Sequence, residues 1–204
     1  MKMKSFRLMI LTALSMVTMQ SFAQTPISSL RNFFSSGSVS IEAEYEMTIP
    51  NTAISGETVL LVQGNMYHVR GNGLNVYNNG STVWTVDELA REVIIERSSD
   101  VEQDYMSNPV LLLSKMDEYF KVQSQTTVNS KYVYVLESIA SCGISKLTLT
   151  LLSDGKVVSG EFTLNDGNVL SVKVLSMKKA EEKPVSFFSP QTKFGSDWVV
   201  TDLR

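Results

Sequence analysis

Residues 39–49 read VSIEAEYEMTI, and their alternation decides the fold class. Val39, Ile41, Ala43, Tyr45, Met47 and Ile49 recur at every second position, with Ser40, Glu42, Glu44, Glu46 and Thr48 between them. Successive side chains of a strand point to opposite faces, so this spacing predicts one long strand with a dry side and a wet side. Similar runs follow at about 57–63, 65–70, 73–78, 81–87 and 92–97, then at 119–125, 131–138, 144–153, 156–164 and 168–177. The joints between them carry turn chemistry. Asn78-Asn79-Gly80, Ser153-Asp154-Gly155-Lys156 and Asn165-Asp166-Gly167-Asn168 put residues tolerant of positive φ where tight hairpin loops need them. Asn79-Gly80-Ser81 also fits a glycosylation sequon, but the turn alone accounts for it.

Two helices interrupt the pattern. Thr25 can cap a helix with Pro26 in its first turn, and Ile27, Leu30 and Phe34 then share one stripe. Asn108 and Pro109 open a second, running to Phe120, with Leu112, Met116 and Phe120 at helical spacing. No linker or repeat divides the chain. The expected fold is mainly β (α+β): a strongly curled antiparallel sheet of about 10–11 strands forming an incomplete barrel. An incompletely closed sheet leaves a concave face, and a few lid helices are its only candidate cover.

The first residues concern address. Lys2, Lys4 and Arg7 precede an apolar run from Leu8 to Val17, and Ser21 and Ala23 are the small residues of a cleavage site. The run is too short to span a bilayer. Residues 1–23 therefore read as a cleavable secretory signal rather than a buried helix, leaving 24–204 as a single domain. The signal holds three basic and no acidic residues, so fifteen Lys and Arg against twenty-one Asp and Glu give the remainder a net charge of −6. An acidic surface argues against nucleic acid and against electrostatic membrane docking. Export implies an oxidising compartment, yet Cys142 is the only cysteine, so no internal disulfide can form. Cys142 reads as a small buried hydrophobe, and no cysteine near the cleavage site offers a lipid anchor.

Catalytic constellations are scarce. His68, the only histidine, sits in NMYHVRG with no carboxylate or cysteine at metal-ligand spacing. No nucleophile elbow, phosphate-binding loop or zinc spacing occurs. Glu42, Glu44 and Glu46 share a strand face, which reads as solvated, and Glu181, Glu182 and Lys183 read as a polar loop. We expect no catalytic residue, no metal and no cofactor. What remains is apolar surface: Tyr45, Met47, Met66, Tyr67, Trp84, Tyr132, Tyr134 and Phe162 spread over many strands, and Leu111, Leu112, Leu113, Met116 and Phe120 on the second helix. Composition alone does not separate a filled core from a greasy cavity.

Residues 78–96, NNGSTVWTVDELAREVIIE, resemble the hairpin of the LolA family of periplasmic lipoprotein carriers, with Gly80, Thr82, Val83, Trp84, Asp87, Glu92 and Val93 in corresponding places. The resemblance continues in order through SNPVLLL (107–113), the two late hairpins of 149–177 and SFFSPQTKFGSDWVV (186–200). Together these segments cover much of the mature chain. One departure touches the lid: Gln63 and Gly64 stand where the family often carries an Arg-Pro whose arginine pins the lid helices to the sheet. Tyr67 occupies the place of a family aromatic, while Val69 replaces a bulky residue.

The resemblance implies a soluble, monomeric, non-enzymatic periplasmic chaperone. It would shield lipoprotein acyl chains in a hydrophobic cavity lined by the strand residues above, with residues 111–113, Met116 and Phe120 as lid. It would receive cargo from an inner-membrane lipoprotein-releasing ABC transporter and pass it to an outer-membrane LolB-like acceptor. Trp84 would then belong to the interior of the curled sheet. A LolA-fold lipid sensor of the envelope is the alternative, and further off a periplasmic hydrolase in which His68 would need a serine partner.

Overall fold

The computed structural model describes residues 25–49, 52–99, 112 and 116–204. The expected signal segment lies outside them, as do Asn108, Pro109, Leu111 and Leu113. Helix α1 spans Pro26–Ser35, and six strands follow: β1 Ser38–Ile49, β2 Thr52–Gln63, β3 Met66–Gly71, β4 Leu74–Asn78, β5 Thr82–Asp87 and β6 Glu92–Arg97. After the short helix α2, Met116–Tyr119, come β7 Phe120–Val128, β8 Lys131–Ser138, β9 Ile144–Leu151, β10 Val157–Leu164 and β11 Val169–Ala180. A 3₁₀ turn at Val185–Phe188 and β12, Val199–Asp202, complete the chain.

All twelve strands form one sheet in the order β12-β6-β5-β4-β3-β2-β1-β11-β10-β9-β8-β7. Every pairing is antiparallel except β12 with β6, and the sheet stays open between its edges β12 and β7. This is the incomplete barrel with helical cover that the alternation implied. Thr25 caps α1 as expected, its Oγ1 accepting from the Ser28 N–H at 3.3 Å, with Pro26 in the first turn. The second helix departs from expectation at its end, because Phe120 opens β7 and pairs with Ser138.

The register sorts side chains onto two faces. Val39 opposes Val62, and Ile41 opposes both Leu60 and Met177, on the face that α1 covers. One irregularity matters: Glu42 pairs with Ser176 but Ala43 with Val174, so Leu175 is an extra residue in β11. Above this bulge Met177 and Lys179 face α1, whereas below it Val174 and Val172 do. Lys178 consequently faces away, 3.6 Å from the Glu42 carboxylate.

Most of the core lies under the helices. Ile27 and Leu30 of α1 join Leu112, Met116 and Phe120 over Leu136, Ile144, Leu147, Leu149 and Leu151, and Phe34 packs on Val62 and Tyr67. A smaller core occupies the opposite face of β4–β6, where Trp84, Tyr77, Val86, Val93 and Ile95 meet Phe194 and Trp198 of the C-terminal segment.

Candidate functional site

Strand alternation determines which sequence-expected residues meet. Tyr67, Tyr132, Tyr134 and Phe162 contribute to the cores beneath the helices. Tyr45 and Met47 lie on the same face beyond α1, paired with Gly56 and Ile54 of β2, and both are half-buried. The Tyr45 hydroxyl accepts from Asn72 Nδ2 at 3.0 Å, and Ile54 is 50% exposed, so this end of the face is open among the described residues. Leu112, Met116 and Phe120 are buried in the helix-side core. Met66 and Trp84 part from the set. Met66 precedes the helix-facing Tyr67 and points the other way, and Trp84 pairs with Tyr77 and Ile95 in the opposite core. This corrects the expectation that all eight share one surface.

Two polar attachments hold α1 against its apolar bed. The Lys179 ammonium donates to the backbone carbonyls of Phe33 and Ser36 and to Ser36 Oγ at 2.7 Å, which uses all three of its protons. It also lies 4.6 Å from the centre of the Phe33 ring. A cation at the final carbonyls of a helix opposes the negative end of the helix dipole. Arg31 forms an ion pair with Asp117, joining α1 to α2. Both ends of that pair are substantially exposed, so it contributes little by itself. The sequence reading missed Lys179, because no motif marks it and its orientation depends on the bulge.

Lys179→Met keeps the aliphatic stem and removes the charge. Losing an exposed but multiply bonded ammonium should cost closure about 1 kcal/mol, or about fivefold in the open population. The expected result is faster amide exchange along α1 with the sheet unaffected. Unchanged α1 exchange would show that apolar packing alone seats the helix.

The apolar bed is filled when α1 is in place. A concavity of about 730 Å³ opens on the opposite, polar face, lined among others by Glu44, Glu46, Glu57, Glu161, Lys173 and Thr150. Lys173 bonds Glu44 there at 2.9 Å. A trough of carboxylates and hydroxyls does not shield an apolar ligand. Among the described residues, no three His, Cys, Asp or Glu side chains gather as metal ligands. Cys142 is buried, its thiol donating to the Ile144 carbonyl at 3.3 Å.

His68 stacks on Tyr77 with ring centres 4.2 Å apart and meets Phe187 edge-on at 5.7 Å. Asn75 donates through Nδ2 to Glu88 Oε1 at 3.1 Å, so its Oδ1 accepts from His68 Nε2–H at 3.2 Å. These partners are an amide and two rings, none a nucleophile. Burial, opposed by the Asn75 bond and aided by Arg70, lowers the imidazole below its usual 6.5. The unfolded chain therefore takes up this proton first as pH falls. Stability is fully present above about pH 6.5 and declines below it. His68→Gln should flatten the decline in melting temperature between neutral pH and pH 5, and parallel curves for both proteins would refute the assignment.

No protein-family model matches this chain, and no curated protein does. Among solved structures, the fold is similar to that of an uncharacterized conserved protein from Thermus thermophilus, with 12% identity and a TM-score of 0.54 over 87% of this chain and 96% of that one. A LolA superfamily protein from Nitrosomonas europaea also matches, at 16% identity and a TM-score of 0.47 over 82% of this chain and 97% of that one. So does a putative outer membrane lipoprotein-sorting protein domain from Vibrio parahaemolyticus, at 13% identity and a TM-score of 0.42 over 79% and 94%. At such identities the likeness is one of fold.

Proposed function

We propose that this chain is a non-enzymatic carrier that shields the acyl chains of lipoproteins and ferries them across the periplasm from the inner to the outer membrane. The observation that carries the reading is the relation of α1 to the sheet. An apolar face is covered by a helix that is attached through side-chain contacts, by Lys179 at its end and Arg31 in its middle, rather than woven into the strands. Such a helix can leave without breaking a strand pairing, and the face it leaves is greasy.

The physical need is large. Each methylene moved from a membrane into water costs about 0.8 kcal/mol, so a chain of about fourteen costs on the order of 11 kcal/mol. A carrier offsets that cost with an apolar bed, and the adaptable Met116 and Met177 suit chains of varied shape. On this reading residues 1–23 are cleaved on export. Tyr45, Met47, Tyr67, Tyr132, Tyr134 and Phe162 line the site, and Leu111, Leu112, Leu113, Met116 and Phe120 form the lid with α1. An inner-membrane ABC transporter loads the site and a LolB-like acceptor empties it.

The test is release of cargo. Purified residues 24–204 are incubated with spheroplasts whose lipoproteins carry a labelled acyl chain, and label is counted in soluble complex. Stoichiometric soluble cargo is expected. Bound free lipid without lipoprotein would redirect the reading to a lipid sensor, and neither would end it.

A further inference from the structure

In the core cluster around Leu30 and Leu147, Tyr134 is the one buried residue whose side chain carries an oxygen or nitrogen atom among the described residues. It is 3% exposed, and its hydroxyl is buried without a hydrogen-bond partner among the described residues. The group lies against the backbone of Ile27 in α1 without reaching bonding geometry. A buried hydroxyl with no partner destabilises the closed protein, and phenylalanine would fill the same space without that cost. Tyr134 stands on β8 opposite Leu149, on the face that α1 covers. Lifting α1 would expose the hydroxyl in the middle of the apolar bed.

An acyl chain is apolar along its whole length except at its carbonyl. Inside a water-free site that oxygen loses its hydration and needs a donor. The backbone N–H groups of paired strands are engaged in the sheet, so the donor must be a side chain, and Tyr134 is the buried one whose hydroxyl has no partner among the described residues. We propose that the Tyr134 hydroxyl is the polar anchor of the acyl site, donating to the carbonyl oxygen of a fatty-acyl ester or amide that enters as α1 lifts. This inference rests on the carrier reading. It adds selectivity: a site built to bond a carbonyl discriminates against the same chain joined through an ether. The ester of a phospholipid and the acylated terminus of a lipoprotein present the same oxygen.

The experiment compares two ligand pairs, a short-chain diester phospholipid with its diether analogue and a diacyl lipopeptide with its dialkyl ether counterpart. Affinities are measured for the wild-type protein and Tyr134→Phe. The wild type should favour the carbonyl-bearing member by about fivefold. Tyr134→Phe should erase that preference, leave ether binding unchanged, and raise the melting temperature of the empty protein by about 3 °C. The pair in which the preference appears and is erased identifies the source of the carbonyl. A preference that survives in Tyr134→Phe, or a wild type with none, overturns the anchor even if the melting temperature rises. Failure to bind either member of either pair would instead overturn the carrier reading.

Discussion

Gly155→Ala should unseat α1, lower the melting temperature by about 8 °C and raise binding of an apolar dye several-fold. Gly155 closes the turn between β9 and β10 at φ +85°, a left-handed conformation that costs an alanine about 1 kcal/mol. Steric contact costs more. A Cβ there would stand 2.6 Å from the Ser29 carbonyl carbon and closer still to the Leu30 backbone nitrogen, both in α1. Helix backbone cannot swing aside as a side-chain tip can, so the helix must shift as a body, at a cost of about 1–3 kcal/mol. Gly167 supplies the control, since it has nearly the same φ but nothing within 4 Å of its missing Cβ. Gly167→Ala should lose only the conformational part, about 3 °C, without new dye binding. If the two variants behave alike, the turn does not press on α1.

Phe188→Ala should destabilise more and yet leave acyl-chain uptake alone. Phe188 is fully buried in the 3₁₀ turn that packs against β3, its ring 5.4 Å from Phe187. Truncating a buried phenylalanine costs about 4 kcal/mol, or about 10 °C in melting temperature for a chain of this size. Phe187, which meets His68 on the face away from α1, would lose the ring beside it. Below the lowered melting point, lipoprotein release from spheroplasts should match wild type. Loss of release by protein that is still folded would mean that the two faces of the sheet are coupled.

These two faces also explain how far the sequence could be read. Residues 39–49 were legible because one side of β1 is apolar and the other carries glutamates, so alternation reports burial directly. The hairpin turns and the Thr25-Pro26 helix start announced themselves through residues with a fixed backbone role. In β3–β5 the same logic fails. MYHVRG has apolar or aromatic groups on both sides, because Tyr67 meets Phe34 from α1 while His68 meets Phe187 from the C-terminal segment. A strand covered twice does not say which side faces the helices, and for that reason the pattern puts Met66 and Trp84 on the wrong one. Strand β12 is four residues long and pairs in parallel with a strand about a hundred positions earlier, so nothing local marks it.

The bulge at Leu175 turns a question of chemistry into one of counting. Lys178 and Lys179 are identical side chains, yet one faces Glu42 and solvent while the other holds down a helix. Only the surplus residue between Ser176 and Val174 decides which does which. Taking residue 175 into the ladder opposite Glu42 would straighten β11 and exchange the two roles while leaving both lysines in the sequence. Drift in related chains could thus keep every charge and still lose the holdfast, or regain it from the neighbouring lysine, through a shift of one residue in the pairing. The coupling of lid to sheet is inherited as a spacing.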